Sequence, residues 1–333
     1  MWGCPAQLSV AHPFHGNSSE SASRPTESAN HIVNDRNTDQ DHRQDDDSGD
    51  PFASRKAKAK ARKERFQLIR EGKIGLGKVR QHVNPLRERF QKDVPVPVYA
   101  DMFSDPQKPL HLDIGCAKGA WLTKVATNTP QRNHLGVEIR EALAAYAAHN
   151  ADGLDNCHFC YANVNVSVQT LVDPYPGRLE VVTVNNPDPY FKKKHRKRRV
   201  VTPEFVAKVA SVQSPGGKLY VQSDVGRVYQ DMAWDITNSN LYKCCYTDAE
   251  IVDPETDTDH GTIADVDVDA HATAAVAAVN IDIDDEGELK NDLLSLRAGR
   301  NPFGVMTERE EFVFRKPTGK IWRGLFVRTD TLP

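Results

Sequence analysis

Pro109-Leu-His-Leu-Asp-Ile-Gly-Cys-Ala-Lys-Gly119 decides the fold. Pro109 to Gly115 reads as a strand that ends in a glycine, and Gly119 to Asn128 carries the apolar spacing of a helix. A glycine at a strand end lets the chain turn tightly and lets a ligand approach the main chain. Glu138 closes the next apolar run, roughly 20 residues beyond Gly119, where an acid can accept two hydrogen bonds from a ribose diol. The loop is not a dinucleotide fingerprint, because Gly115-Cys-Ala-Lys-Gly119 lacks the G-x-G-x-x-G spacing. Asp113 also stands just before the turn. A carboxylate there repels a pyrophosphate and suits a cationic ligand carrying a sulfonium and an amino group.

Outward from this unit the alternation continues. His134 to Ile139 predicts a strand, Glu141 to about Asn150 an Ala-rich helix, Cys157 to Ala162 a third strand and Leu179 to Val184 a fourth. Thr202 predicts an N-cap, with Pro203 at the first helical position and Glu204 in the first turn of a helix reaching Gln213. Lys218 to Gln222 is the fifth strand, Val225 to Asn238 a helix and Leu241 to Tyr246 the sixth strand. Strands alternating with helices at this spacing predict an α/β domain on a parallel sheet. Glu310 to Lys316 and Lys320 to Arg328 read as a hairpin around Pro317-Thr-Gly319 that completes the sheet.

The rest of the 333 residues divides by composition. The net charge of −3 hides separate basic and acidic blocks. Residues 1–54, rich in Ser, Asn, Asp, Gln and His, are expected to be disordered. Residues 55–78 form a basic arm or linker, in which Arg55 to Arg70 reads as a basic helix or arm, and residues 79–329 the folded domain. Residues 247–292 read as an acidic, low-complexity insertion, because a structureless loop of that length is foreign to a compact domain. No apolar run is long enough for a membrane span. Met1 to Ser23 lacks a secretory pattern, with an organelle transit peptide left as an alternative. The six cysteines are too sparse for a disulfide framework. Cys157 and Cys160 form a C-x-x-C, but the adjacent Cys244–Cys245 has the wrong spacing for a zinc knuckle and both pairs lie in strand-like runs, so no metal is expected.

The fourth strand runs into Asn185-Asn-Pro-Asp-Pro-Tyr-Phe191 and then Lys192-Lys-Lys-His-Arg-Lys-Arg-Arg199. Ligands of open α/β sheets bind outside the carboxyl ends of the strands, so this loop is expected to border the same site. Pro187 and Pro189 stiffen the backbone around Asp188. The cations beyond them suit an anionic polymer.

Asn186 to Arg199 resembles the P-D-P-W/Y-x-K-x-x-H-x-K-R-R signature of the tRNA (guanine-N7)-methyltransferases. Asp113–Gly119, His134–Arg140, Gln222-Ser-Asp224 and Thr307-Glu-Arg-Glu310 resemble further motifs of that family, and Arg80-Gln-His-Val-Asn-Pro-Leu86 resembles its cyanobacterial and plastid-type branch. The resemblance implies a Rossmann-like class I methyltransferase fold. Its sheet is seven-stranded and mostly parallel, with one antiparallel strand and helices on both faces. It implies S-adenosylmethionine as cofactor, tRNA as partner and N7 of guanine 46 in the variable loop as target. Asp188 and Glu310 are then the catalytic acids. Asp113, Gly115, Gly119, Glu138, Asn163 and Asp188 bind the cofactor. Lys192, His195, Asp224, Thr307 and Glu310 bind the substrate. Ala117 departs from the family by replacing its second glycine, and Thr307-Glu-Arg-Glu310 departs from its T-x-F-E pattern at Arg309.

Two other readings stay open at this point. One is an amino-group methyltransferase of N6-adenine type, whose N-P-P-Y geometry Asp188 interrupts. The other is a catalytically inactive RNA-binding scaffold. The expected setting is intracellular, cytoplasm first with plastid or nucleus as alternatives. The chain is expected as a monomer or homodimer with no membrane contact, and a non-catalytic partner subunit is left open.

Overall fold

The computed structural model describes residues 51–151, 153–249, 251 and 287–330. Seven strands form one sheet in the order β3-β2-β1-β4-β5-β7-β6. They are β1 (Leu110–Ile114), β2 (Asn133–Glu138), β3 (Cys157–Tyr161), β4 (Leu179–Asn185), β5 (Lys218–Ser223), β6 (Tyr242–Thr247) and β7 (Trp322–Arg328). The first five are mutually parallel, and β7 lies antiparallel between β5 and β6.

The helices are α1 (Pro51–Arg70), α2 (Tyr99–Met102), α3 (Ala120–Asn128), α4 (Glu141–Asn150), α5 (Val164–Val172), α6 (Pro203–Val212), α7 (Gly226–Asn238), α8 (Gly287–Arg297) and α9 (Glu308–Val313). The cap read at Thr202 is present, its hydroxyl accepting from the Phe205 N–H at 3.3 Å. Among the described residues no helix is long and apolar enough to cross a membrane.

Alternation along β1 sends its two sets of side chains into different layers. Leu110, Leu112 and Ile114 join the larger core with α2, α5, α6 and α7. His111 points the other way, toward Trp121 of α3 and Phe303. On that face α3, α4 and β3 share a second apolar cluster, and Leu293 and Leu296 of α8 pack on Tyr220 and Leu325. Every residue of β1 is buried, as befits a central parallel strand covered on both faces.

Four expectations change. The folded part does not begin at Val79: α1 starts at Pro51, and its Ile69, 1 % exposed, packs on Ala142 and Ala145 of α4. The basic arm of 55–78 is therefore largely a docked helix, because Phe66 and Ile69 give it an apolar face. The insertion of 247–292 is shorter at both ends. Thr247 ends β6, and residues from Gly287 onward form α8, where Asp292 pairs with Lys218 at 2.7 Å. Residues 1–50 and 252–286, which carry the rest of those two expectations, lie outside the described residues. Finally, the hairpin is replaced by a helix and a strand. Glu308–Val313 is α9, initiated by a reciprocal cap between Thr307 and Glu310, and only Trp322–Arg328 joins the sheet. The two cysteine pairs sit on β3 and β6, the opposite edges of the sheet, and so share no site.

Candidate active site

The site lies where β1, β2 and β4 end. Gly115 turns the chain with φ +77°, and an added Cβ there would meet nothing within 4 Å. That open space beside a buried strand end leaves room for a ligand against the main chain. Gly119 also has a positive φ, +76°, but its role is packing: a Cβ would come within 2.7 Å of Phe159 and Ala147. Gly119 is thus the close contact between α3 and its neighbours, and not part of the cleft wall. Between the glycines, Ala117 adopts φ +51°, keeping the left-handed turn without a glycine.

Asp113 is buried beneath this turn, accepting from the Thr183 hydroxyl at 2.7 Å and the Asn185 amide at 3.2 Å. Burial, with Glu138 nearby, pushes its carboxyl up to about 7, although Thr183 and Asn185 oppose the shift. Glu138 ends β2 and is 1 % exposed. Its oxygens accept from the Ala117 N–H at 3.0 Å and from the Arg140 main chain at 2.8 Å. The Arg140 guanidinium spans both oxygens, at 2.8 and 3.0 Å. The edge of Glu138 that a diol would take is therefore held by Arg140.

Asn163 caps α5 with its oxygen and donates its amide to the Phe90 carbonyl at 3.0 Å. Its side chain anchors the 85–90 segment as the wall of the cleft, so direct contact with a base requires that anchor to shift.

The loop after β4 crosses the mouth. The Asn186 N–H is tied to the Gln222 carbonyl at 2.9 Å, and the Tyr190 hydroxyl to the Val83 carbonyl at 2.6 Å. Asn186 and Tyr190 both have positive φ, 49° and 42°. Such strain in a loop held at both ends fixes where Asp188 points. Asp188 is 37 % exposed and bonded to His82 Nδ1 at 2.8 Å. It lines both halves of one cleft. The inner half is walled by Gly115, Glu138 and Asn163, the outer half by Asp113, Asp224, Thr307 and Arg309. The acids read from the sequence at the ends of β1, β2 and β4 are thus brought together. Asn165 Oδ1, Asn185 Oδ1 and Asn186 Oδ1 line this cleft, buried and without a protein partner. Orphaned acceptors of this kind suit a polar ligand.

The basic loop divides into anchors and free cations. Arg196 and Arg199 bind Asp231 on α7, and Arg199 also donates to the Pro189 carbonyl at 2.9 Å. Lys192, Lys193, Lys194 and Lys197 remain exposed beside His195. His195 is held below the ordinary histidine range, first by partial desolvation and then by Arg198, Lys194 and Lys192. Lys192 and His195 sit outside the cleft walls, at its rim.

A second recess opens beside Asp188, lined by Arg80, His82, Arg87, Arg89 and Arg198 with Tyr190. None of its described lining residues is acidic. The sequence reading missed this cluster because Arg80 to Arg89 and Arg198 meet only through tertiary contact.

Glu310 is the largest correction. It is fully buried, its oxygens taken by the Thr307 N–H at 2.7 Å, the Arg323 guanidinium at 2.8 Å and the Asn301 amide at 3.3 Å. It is the N3 partner of the Thr307 cap and not a wall of the cleft. Thr307 borders the outer half, but its hydroxyl is engaged by the Glu310 N–H and the Gln222 amide. Glu308 and Arg309 face the cleft instead, and Arg309 is paired to Asp224.

Strand order, the glycine turn after β1 and the acids closing β1, β2 and β4 define a Rossmann-like fold of the class I methyltransferase kind. A family model described as "Putative methyltransferase" matches residues 107–265. A tRNA (guanine-N(7)-)-methyltransferase of Thermosynechococcus vestitus is 43 % identical over 173 residues, 51 % of this chain and 80 % of its own. One from Synechocystis sp. is 45 % identical over 157 residues, 46 % of this chain and 74 % of its own. The chain belongs to the tRNA (guanine-N7)-methyltransferase family.

Proposed function

We propose that the chain transfers a methyl group from S-adenosylmethionine to N7 of guanine in tRNA, and that the guanine is position 46 of the variable loop. The observation that carries this reading is the position of Asp188, at the junction of an acid-lined inner pocket and a cation-rich rim. When bound, S-adenosylmethionine supplies a methyl carbon made electrophilic by its sulfonium.

The residues present fit that group. Asp113 and the orphaned Asn185 and Asn186 oxygens offer acceptors to an ammonium, and Gly115 leaves the main chain open. Glu138 takes the ribose diol once Arg140 gives way to it. Arg140 then redirects its charge toward the neighbouring Asp188, whose field it already feels.

Guanine N7 has an in-plane lone pair, so no base is needed before it attacks. The residues lining the cleft, Asp113, Glu138 and Asp188 among them, would hold the methyl donor against that lone pair. The protein's task is alignment, which supplies up to about 7–11 kcal/mol of the barrier. Asp188 holds the guanine edge and offsets the positive charge the base acquires. Lys192 and its exposed neighbours hold phosphates of the RNA, and the arginine recess at Arg80 to Arg89 holds another next to the target base. His195 acts as a loop and phosphate contact at the rim, not as a base.

Unmodified tRNA incubated with labelled cofactor, digested and analysed as nucleosides tests this. The expected product is 7-methylguanosine, lost when guanine 46 is replaced. A product of N6-methyladenosine, or methylation that persists without guanine 46, overturns the reading at the corresponding level.

A further inference from the structure

Behind Asp113 the sheet contains an unbroken line of hydrogen-bonding side chains that the methyl-transfer scheme does not use. Strand register builds it. His111 lies opposite His134 on β2, and Asp113 lies opposite Thr183 on β4. All four project from the same face. The Thr183 hydroxyl is 2.7 Å from Asp113 Oδ1 and 3.0 Å from His111 Nε2. His111 Nδ1 is 3.2 Å from His134 Nδ1. His134 Nε2 is 3.0 Å from the Thr129 hydroxyl and 3.3 Å from the Thr129 carbonyl. His111, His134 and Thr183 are at most 1 % exposed, whereas Thr129 is half-buried at the C-terminal end of α3, away from the cleft.

Each junction holds one proton, so the line has two self-consistent registers. With Asp113 charged, Thr183 donates to it and must accept from His111 Nε2–H. His111 Nδ1 then accepts from His134 Nδ1–H, and His134 Nε2 accepts from the Thr129 hydroxyl. With Asp113 protonated, Asp113 donates to Thr183, which donates to His111 Nε2. His111 Nδ1–H donates to His134 Nδ1, and His134 Nε2–H donates to the Thr129 carbonyl. The Thr129 hydroxyl is then free to donate to the Val125 carbonyl, 2.7 Å away. Passing from the second register to the first moves one proton per junction and delivers one net proton at Thr129.

We propose that Thr183, His111 and His134 are positioning residues that form a proton path from Asp113 to Thr129, so that Asp113 changes its charge without opening the cleft. Its use in the reaction rests on the reading of Asp113 as the acceptor for the cofactor's ammonium, and the path itself does not. The imidazoles stay neutral throughout. Burial lowers both, and Arg132 and their mutual repulsion add to this at His111, as Arg132 does at His134. Facing Asp113 are Glu138, Cys116 and Cys157, with Asn185 and Thr183 as donors. Arg132 is itself bonded to Glu180.

The test is nitrogen NMR of the full chain labelled at histidine, titrated without ligand across pH 7. The protonated-type resonance of His111 is expected to move from Nδ1 to Nε2 as pH rises, while that of His134 moves from Nε2 to Nδ1, with one shared midpoint. In Thr183→Val the shared switch is lost, and in Asp113→Asn both rings hold one tautomer at every pH. Fixed tautomers in the native chain, or a switch that survives in both variants, overturns the path. Adding S-adenosylhomocysteine below the midpoint is expected to pull both rings to the high-pH register. If the ligand-free switch occurs and the ligand does not move it, the path stands and the cofactor role of Asp113 falls.

Discussion

Asp188 and Glu310 are both acids within motif matches on the carboxyl side of the sheet, and the structure gives them opposite work. Asp188 is carried by a strained loop, stands 37 % exposed and bonds one exposed histidine. Glu310 is carried by a helix, is wholly buried and has its oxygens spent on Thr307, Arg323 and Asn301. A carboxylate that must meet a ligand needs unspent acceptor capacity. Thr-x-x-Glu at a helix start consumes that capacity locally. The contrast shows that a matched position does not transfer a role unless the backbone leaves the side chain free.

Glu310→Ala breaks the comparison most severely if it is wrong. It takes from the Arg323 guanidinium, 6 % exposed, the closer of its two carboxylates and leaves Asp248 at 3.9 Å. The expected cost is about 3–5 kcal/mol of folding stability. Chemical denaturation should show it, and Glu310→Gln should recover part by keeping the cap. The folded fraction should retain most of its turnover per molecule. A native melting curve with abolished methyl transfer would restore Glu310 to the chemistry.

Asp188→Ala should do the reverse. Its loss removes a charge aimed at the developing cation, with an expected drop of about 10²–10³ in kcat. Because the side chain is 37 % exposed and its partner His82 is exposed too, denaturation should barely change. Unchanged turnover would remove the assigned role.

Asp113 sharpens the comparison through pH. Its carboxyl is raised to about 7 by burial, so the folded state binds its proton more tightly than the unfolded chain. The charged form therefore predominates only above about 7, and it is the form that accepts an ammonium. Affinity for S-adenosylhomocysteine should be flat above that value and fall about tenfold per pH unit below it, until another group titrates. Asp113→Asn should bind more weakly with little pH dependence. Calorimetry across this window decides it, and a native affinity that rises as pH falls through 7 would invert the assignment.

The central alternation was legible because its signals are local. Pro109 to Gly119, Thr202-Pro203 and the apolar runs of β2 to β5 carry their periods and caps within a few residues. The elements that escaped had conflicting signals. Val164-Asn-Val-Ser-Val168 alternates with the period of a strand, yet Asn163 caps it as α5. Leu289, Leu293 and Leu296 have helical spacing, but they adjoin the acidic block whose composition argued for a loop. In the site, the acids of β1, β2 and β4 were readable from topology, since strand ends converge. The His82–Asp188 bond spans 106 residues, and no spacing rule reaches it. The histidine line behind Asp113 depends on strand register, which the sequence of any one strand leaves unspecified.

The smallest expected effect separates residue identity from backbone role at the glycine turn. Ala117 departs from the family's glycine yet keeps its left-handed conformation, with φ +51° and its N–H on Glu138 at 3.0 Å. A residue with a Cβ costs about 1–2 kcal/mol in that region. Ala117→Gly should relieve this strain, offset by about 0.4–1 kcal/mol of added freedom in the unfolded chain. The net expectation is a gain of about 0–1.6 kcal/mol in stability, with cofactor affinity unchanged because the N–H to Glu138 is retained. A loss of affinity without a loss of stability would mean that the stiffness of Ala117 itself holds Glu138 in place, giving this turn a role that its φ angle alone does not reveal.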